Sequence, residues 1–200
     1  MRGRLGAGRR LGTAGALAAA LLLVGCTPTV TGGWDDAGDR TGYVSGDRSV
    51  TTWEPADRTG PVQIVGTDFS GEPIDLADWL GDVVVLNTWY AACPPCRAEA
   101  PDLVALSEDY ADAGVHLLGI NSTDDAGAAQ AFERTFAVPY PSVHDADGAA
   151  VAVLQGIVPV QAVPTTVLLD RSGRVAARVL GVIDPSTVRA LLDELLEEPA

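Results

Sequence analysis

The chain has 200 residues, of which 27 are Asp or Glu and 13 are basic, every one of the latter arginine, for a formal net charge of −14. This balance excludes nucleic acid and electrostatic attachment to anionic lipid, because both need clustered positive charge. The three cysteines are an odd number, and their placement carries most of what can be read about function.

In chain order, residues 1–25 read as an export signal rather than as part of a folded domain. Arg2, Arg4, Arg9 and Arg10 form a basic start, followed by a 14-residue, mostly apolar run, Leu11 to Val24. The run is shorter than the roughly 20 residues that cross a bilayer as a helix. Its end, Leu23-Val24-Gly25-Cys26, resembles the lipobox of bacterial lipoproteins, in which the cysteine takes the lipid and begins the mature chain. From Cys26 onward nine arginines face 27 acidic residues, a balance of −18. Residues 26–60 are rich in Thr, Gly, Asp and Ser without a sustained apolar period, and are expected to form a flexible tether. Trp34, Tyr43 and Trp53 are unusual in such a segment, and Trp53 is the one expected to pack on the domain.

Residues 61–200 are long enough for one well-buried core. Val62 to Val65 alternates toward a strand, and Ile74 opens a second short one after a turn, giving an N-terminal hairpin extension. Asp75 to Leu80 reads as a short helical turn. Val83 to Trp89 is a continuous apolar strand of the kind buried on both faces. Helical spacing follows over Pro94 to Ala113, a strand over His116 to Asn121, and a helix over Asp125 to Ala137. Ser142 to His144 is short and extended, and Gly148 to Leu154 a small helix. Thr165 to Leu169 and Val175 to Leu180 are strands joined by the turn Asp170-Arg171-Ser172-Gly173. Asp184-Pro185 caps a last helix, Ser186 to Glu197. The expected fold is α/β, a central mixed sheet flanked by helices.

Cys93-Pro94-Pro95-Cys96 lies just after the apolar strand, where the next helix begins. Thiols at this spacing close a disulfide within one turn, and the first sits where the helix terminus favours a thiolate. A thiolate attacks disulfides and a neighbouring thiol resolves the mixed intermediate, so thiol–disulfide exchange is the leading chemistry. Cys93 is the expected exposed nucleophile and Cys96 the resolving thiol. A metal site is the alternative for two nearby cysteines. They cannot complete a tetrahedral zinc site alone, and His116 and His144 have no local ligand spacing. Pro94 and Pro95 lack N–H groups, which leaves the Cys96 N–H as the nearest donor to the Cys93 sulfur. Fewer donors disfavour the thiolate, and a strong oxidant needs a stabilised reduced form, so the couple is expected to be reducing.

The stretch Asn87-Thr88-Trp89-Tyr90-Ala91-Ala92-Cys93-Pro94-Pro95-Cys96-Arg97-Ala98-Glu99-Ala100-Pro101, with Val163-Pro164-Thr165-Thr166, resembles the TlpA/ResA group of membrane-tethered thioredoxin-like proteins. The resemblance covers about residues 61–200 and implies a thioredoxin-like fold with a redox-active Cys93–Cys96 disulfide and no other cofactor or metal. It implies a cis Pro164 whose preceding residue, Val163, presents backbone to an extended substrate, with Trp89, Pro94 and Pro95 at the same surface. Asn87 stands where thioredoxin has a buried acid. Glu99, one turn beyond Cys96, is the substitute the resemblance implies, exchanging the Cys96 proton; the plain alternative is an acid complementing the helix dipole. Pro101 is read as structural. Two departures stand out. Ala92 replaces the family's usual tryptophan before the first cysteine, and the approach to Pro164 is a few residues longer, with an extra proline at Pro159.

The expected activity is an extracytoplasmic thiol–disulfide oxidoreductase that reduces disulfides of exported proteins, with apocytochrome c among the substrates the resemblance suggests. A membrane thiol-transfer protein would supply electrons, and the chain is expected to be a monomer held at the membrane by lipid on Cys26. A disulfide-forming oxidase and a copper-binding metallochaperone are the alternatives. A thiol peroxidase fits poorly, because Tyr90 occupies the place three residues before Cys93 where threonine or serine is needed.

Overall fold

A computed structural model describes residues 41–47, 49–159 and 162–199. The signal segment, Cys26 and the first part of the expected tether lie outside the described residues.

The strand read from the unbroken apolar run becomes β5 (Val83–Thr88), and all six of its residues are buried. It is an interior strand of a seven-stranded sheet with β1 (Thr41–Val44), β2 (Val50–Trp53), β6 (Val115–Asn121), β7 (Ser142–His144), β8 (Thr165–Leu169) and β9 (Val175–Leu180). Their order is β1-β2-β9-β8-β5-β6-β7. β5, β6 and β7 run parallel, whereas β8, β9, β2 and β1 alternate antiparallel, so the sheet is mixed. A separate antiparallel hairpin pairs β3 (Val65–Thr67) with β4 (Pro73–Asp75). The helices are α1 (Pro94–Asp109), α2 (Ala126–Phe136), α3 (Ala149–Val153) and α4 (Pro185–Glu197).

The alternation of side chains along β5 divides the core. Val83 and Val85 pack with Leu103 and Leu106 of α1 and Val188 and Leu192 of α4 on one face. Val84 and Leu86 pack on the other with Ile74, Leu118, Val167, Ala150 of α3 and Leu154. A third cluster gathers Trp89, Cys93, Cys96 and Ala100 with Phe69 and with Ala129 and Phe132 of α2. Helix starts follow their caps: Asp125 accepts from the Ala128 N–H and Asp184 from the Thr187 N–H. α1 continues through Pro101, whose missing N–H removes one helical hydrogen bond without ending the helix.

Two expectations are corrected. The tether expected over residues 26–60 does not extend to residue 60, because β1 and β2 join the sheet. Val50, Thr51 and Thr52 pair with Val179, Arg178 and Ala177 of β9. Trp53 packs against the core, and the Arg58 guanidinium forms ion pairs with Asp170 and Glu198. The cause is non-local: β2 is a short strand with a single buried residue, Thr51, and β9, over a hundred residues away, supplies a partner. The first strand of the hairpin also starts later than its alternation suggests. Val62 and Ile64 are buried, but ladder pairing begins at Val65, opposite Asp75.

Candidate active site

At the C-terminal end of β5 the buried side chains change from apolar to polar. Thr88 Oγ1 accepts the Thr165 N–H at 2.9 Å, which ties the start of β8 to the end of β5. The chain then passes through Trp89 and turns, with the Cys93 N–H donating to the Tyr90 carbonyl at 3.1 Å. Cys93 is the N-cap of α1, and its sulfur accepts the Cys96 N–H at 3.2 Å. That amide is the one donor the two prolines leave within the first turn. Cys93 and Cys96 are joined as a disulfide, with their Cα atoms 5.3 Å apart.

The exposure expected for Cys93 is not observed. In the disulfide form Cys93 and Cys96 are 1% and 2% exposed, so position rather than accessibility separates them. Both cysteines belong to the buried cluster of Phe69, Trp89, Ala100, Ala129 and Phe132. Trp89 also moves from its expected place at the substrate surface. It is buried, stacked on Phe132 at 4.4 Å between ring centroids and edge-on to Phe69, and it floors the site. Gly119 makes room for it: a Cβ there would lie 2.6 Å from Trp89 Nε1 and against Ser142 Oγ.

The Val163–Pro164 peptide is cis, as the resemblance implies. Pro164 immediately precedes β8, so it lies at the same end of adjacent strands as the loop that carries Cys93. Its carbonyl accepts the Gly181 N–H, and Val163 is partly exposed. Pro94 is exposed and Pro95 half-buried.

Glu99 is fully buried on α1, three residues beyond Cys96 and therefore on the same helix face. Its Oε1 accepts from Asn87 Nδ2 at 2.9 Å and its Oε2 from the Ile183 N–H at 3.1 Å. Burial pushes the carboxyl up to about 7 against the opposing pull of those two hydrogen bonds, and the charge of Asp102 adds to the rise. Asn87, in turn, has its amide shared between Glu99 and Thr166 Oγ1. Burial and the charge of Glu99 both raise the phenol of Tyr140.

His116 stacks on Trp79 and meets Asp82 at 2.9 Å, and His144 stacks on Phe69. Among the described residues no group of three or more His, Cys, Asp or Glu side chains is placed to hold a metal. The sequence reading missed Thr88, Ile183 and Asp124. Thr88 and Ile183 act through partners far away in the chain. Asp124 precedes α2 and reads locally as an ordinary turn residue, yet its carboxylate accepts the Ala91 N–H at 2.6 Å.

The Redoxin family model matches residues 56–195, most of the chain. The chain belongs to the Redoxin family. This redoxin is 30% identical to the thiol-disulfide oxidoreductase ResA of Halalkalibacterium halodurans, over 68% of its own length and 76% of that protein. It is 36% identical to the thiol:disulfide interchange protein DsbE of Pseudomonas aeruginosa, over 62% and 67%. Among solved structures, a secreted thiol-disulfide isomerase from Corynebacterium glutamicum superimposes with a TM-score of 0.71 at 32% identity, covering 78% of this redoxin and 97% of that chain. The redoxin is thus a TlpA/ResA-like thiol–disulfide oxidoreductase of thioredoxin-like fold, with its cysteine pair at the CxxC spacing.

Proposed function

We propose that this redoxin works outside the cytoplasm, tethered by lipid on Cys26, and reduces disulfides of exported proteins. Apocytochrome c is the substrate that its kinship favours. Cys93 thiolate attacks a substrate disulfide, forming a mixed disulfide and releasing one substrate thiolate. Cys96 loses its proton to Glu99 and attacks the Cys93 sulfur. The Cys93–Cys96 disulfide forms, the second substrate sulfur leaves, and the substrate has gained two electrons. A membrane thiol-transfer protein returns the pair to the dithiol, and no further cofactor takes part. Backbone at Val163, before Pro164, pairs with the extended substrate segment, with Pro94 and Pro95 beside it.

The reducing direction is carried by one observation. The Cys93 sulfur, at a helix N-terminus, has a single amide donor, from Cys96, because Pro94 and Pro95 supply none. A poorly stabilised thiolate makes the dithiol give up electrons more readily. Equilibration with glutathione is expected to place the couple nearer about −270 mV than about −120 mV. Pro94→His, which adds a donor and a titratable ring, is expected to raise it. A wild-type value near the oxidant end would reverse the assignment in favour of disulfide formation. The substrate itself is reached by trapping: Cys96→Ala in cells should accumulate a mixed disulfide on Cys93.

A further inference from the structure

The turn that delivers Cys93 to α1 contains Ala91 and Ala92, neither with a side chain able to anchor it. The backbone of Ala91 is nevertheless held from two sides. The Ala91 N–H donates to Asp124 Oδ2 at 2.6 Å, and the Ala91 carbonyl accepts from Arg97 Nη1 at 3.2 Å. Each holder is itself fixed. Asn121, fully buried at the end of β6, donates to Asp124 Oδ2 at 2.8 Å, while its own Oδ1 accepts the Thr123 and Asp124 N–H groups. The Arg97 guanidinium lies over the Phe136 ring at 5.0 Å and the Phe132 ring at 5.8 Å, and Phe132 stacks on Trp89.

Arg97 follows Cys96 directly and Ala91 precedes Cys93 by two residues. The Arg97–Ala91 hydrogen bond therefore closes a short ring around the cysteine pair, and Asp124 pins that ring to the sheet. We propose that Arg97 and Asp124 are positioning residues forming a strap that holds Cys93 and Cys96 in register when the disulfide is open. The strap rests on the reading of these two thiols as the exchanging pair. Its effect on equilibrium follows from proximity. Two thiols already held together lose less freedom on joining, so their disulfide is favoured over the dithiol and the pair is the better reductant.

The charge of Arg97 acts in the opposite sense, which makes the proposal testable by sign. A cation near Cys93 stabilises its thiolate and so favours the dithiol. If charge were its only influence, Arg97→Ala would favour the disulfide. If the strap dominates, Arg97→Ala shifts the glutathione equilibrium toward the dithiol, by roughly tenfold, or about 30 mV for this two-electron couple.

The experiment measures that equilibrium on the full chain for wild type, Arg97→Ala, Asp124→Ala and Asp124→Asn, with thermal unfolding of the oxidised forms alongside. Arg97 is exposed, so its variant is expected to fold. Asp124→Asn removes the charge but keeps an oxygen for the Ala91 N–H, and should retain most of the wild-type value where Asp124→Ala does not. Arg97→Ala that leaves the equilibrium unmoved, or moves it toward the disulfide, overturns the strap. Equal shifts in Asp124→Asn and Asp124→Ala overturn Asp124's part in it, because charge alone then accounts for the change. Cys93→Ala serves as the control for the underlying reading: exchange surviving in that variant would remove Cys93 from the chemistry altogether, a failure distinct from that of the strap.

Discussion

The first four residues of β5 and its last two are all buried and chemically opposite. Val83–Leu86 divides its side chains between two apolar clusters, one against α1 and α4 and the other against α3 and the β3–β4 hairpin. Asn87 and Thr88, the next two residues, face hydrogen-bonding partners instead: Glu99 and Thr166 for one, Thr165 for the other. In the first four, burial itself supplies the stabilisation. In the last two, burial is unfavourable and has to be offset by pairing every polar group. The difference teaches that depth does not mark the working end of this sheet. The marker is a set of buried polar groups whose partners come from distant segments.

Substitutions on either side of that boundary should separate stability from redox behaviour. The largest stability loss is expected from Leu86→Ala, which opens a cavity at a site 1% exposed and should cost about 2–5 kcal/mol in denaturant unfolding. The glutathione equilibrium of its folded fraction should be unchanged. A shifted equilibrium would mean the apolar part also sets the chemistry.

Glu99→Gln sharpens the comparison through pH. The carboxyl is at about 7 in the folded chain against an ordinary value of 4.5. Below 4.5 it is protonated in both states and costs nothing. Between 4.5 and 7 the unfolded chain releases the proton while the folded chain keeps it, so folding weakens as pH rises. The wild type is expected to lose about 3 kcal/mol through this site across that window, a decline absent from Glu99→Gln. The same variant should lose the rise in exchange rate near neutrality if Glu99 takes the Cys96 proton. Parallel stability curves for the two proteins would contradict the burial argument, and an unchanged rate profile the proton transfer.

A smaller effect is expected from Thr88→Val, which keeps the volume but leaves the Thr165 N–H without its acceptor. The cost should be about 1–3 kcal/mol, read by denaturant unfolding. Because Thr165 follows Pro164, exchange with a peptide disulfide should weaken more than alkylation of the reduced protein by a small reagent. Equal losses in both assays would show that this hydrogen bond serves the fold alone.

Most elements were legible because their signals are local. β5 has its continuous apolar run, α2 its helical spacing of apolar residues, α4 its Asp184 cap, and the β8–β9 turn its Asp-Arg-Ser-Gly sequence. The cysteine pair was legible from its spacing, and Glu99 from the family resemblance of the motif around it. What escaped depends on partners far away. β2 finds its partner in β9, more than a hundred residues away, and buried Cys93 belongs to a cluster that draws Phe69, Trp89, Ala129 and Phe132 from separate segments. Asp124 reads as a turn residue until the Ala91 amide is placed against it. No periodicity in a single segment records such a meeting.

The two N-terminal strands also set a length. With residues 41–53 taken into the sheet, an anchor at Cys26 would leave about 14 residues between lipid and fold, where a free tether to residue 60 would leave about 34. A chain spans at most roughly 3.6 Å per residue, so the reach falls from about 120 Å to about 50 Å. The catalytic face would then patrol a thin layer above the bilayer. On the proposed anchor at Cys26, it would meet only partners that come within that distance of the bilayer.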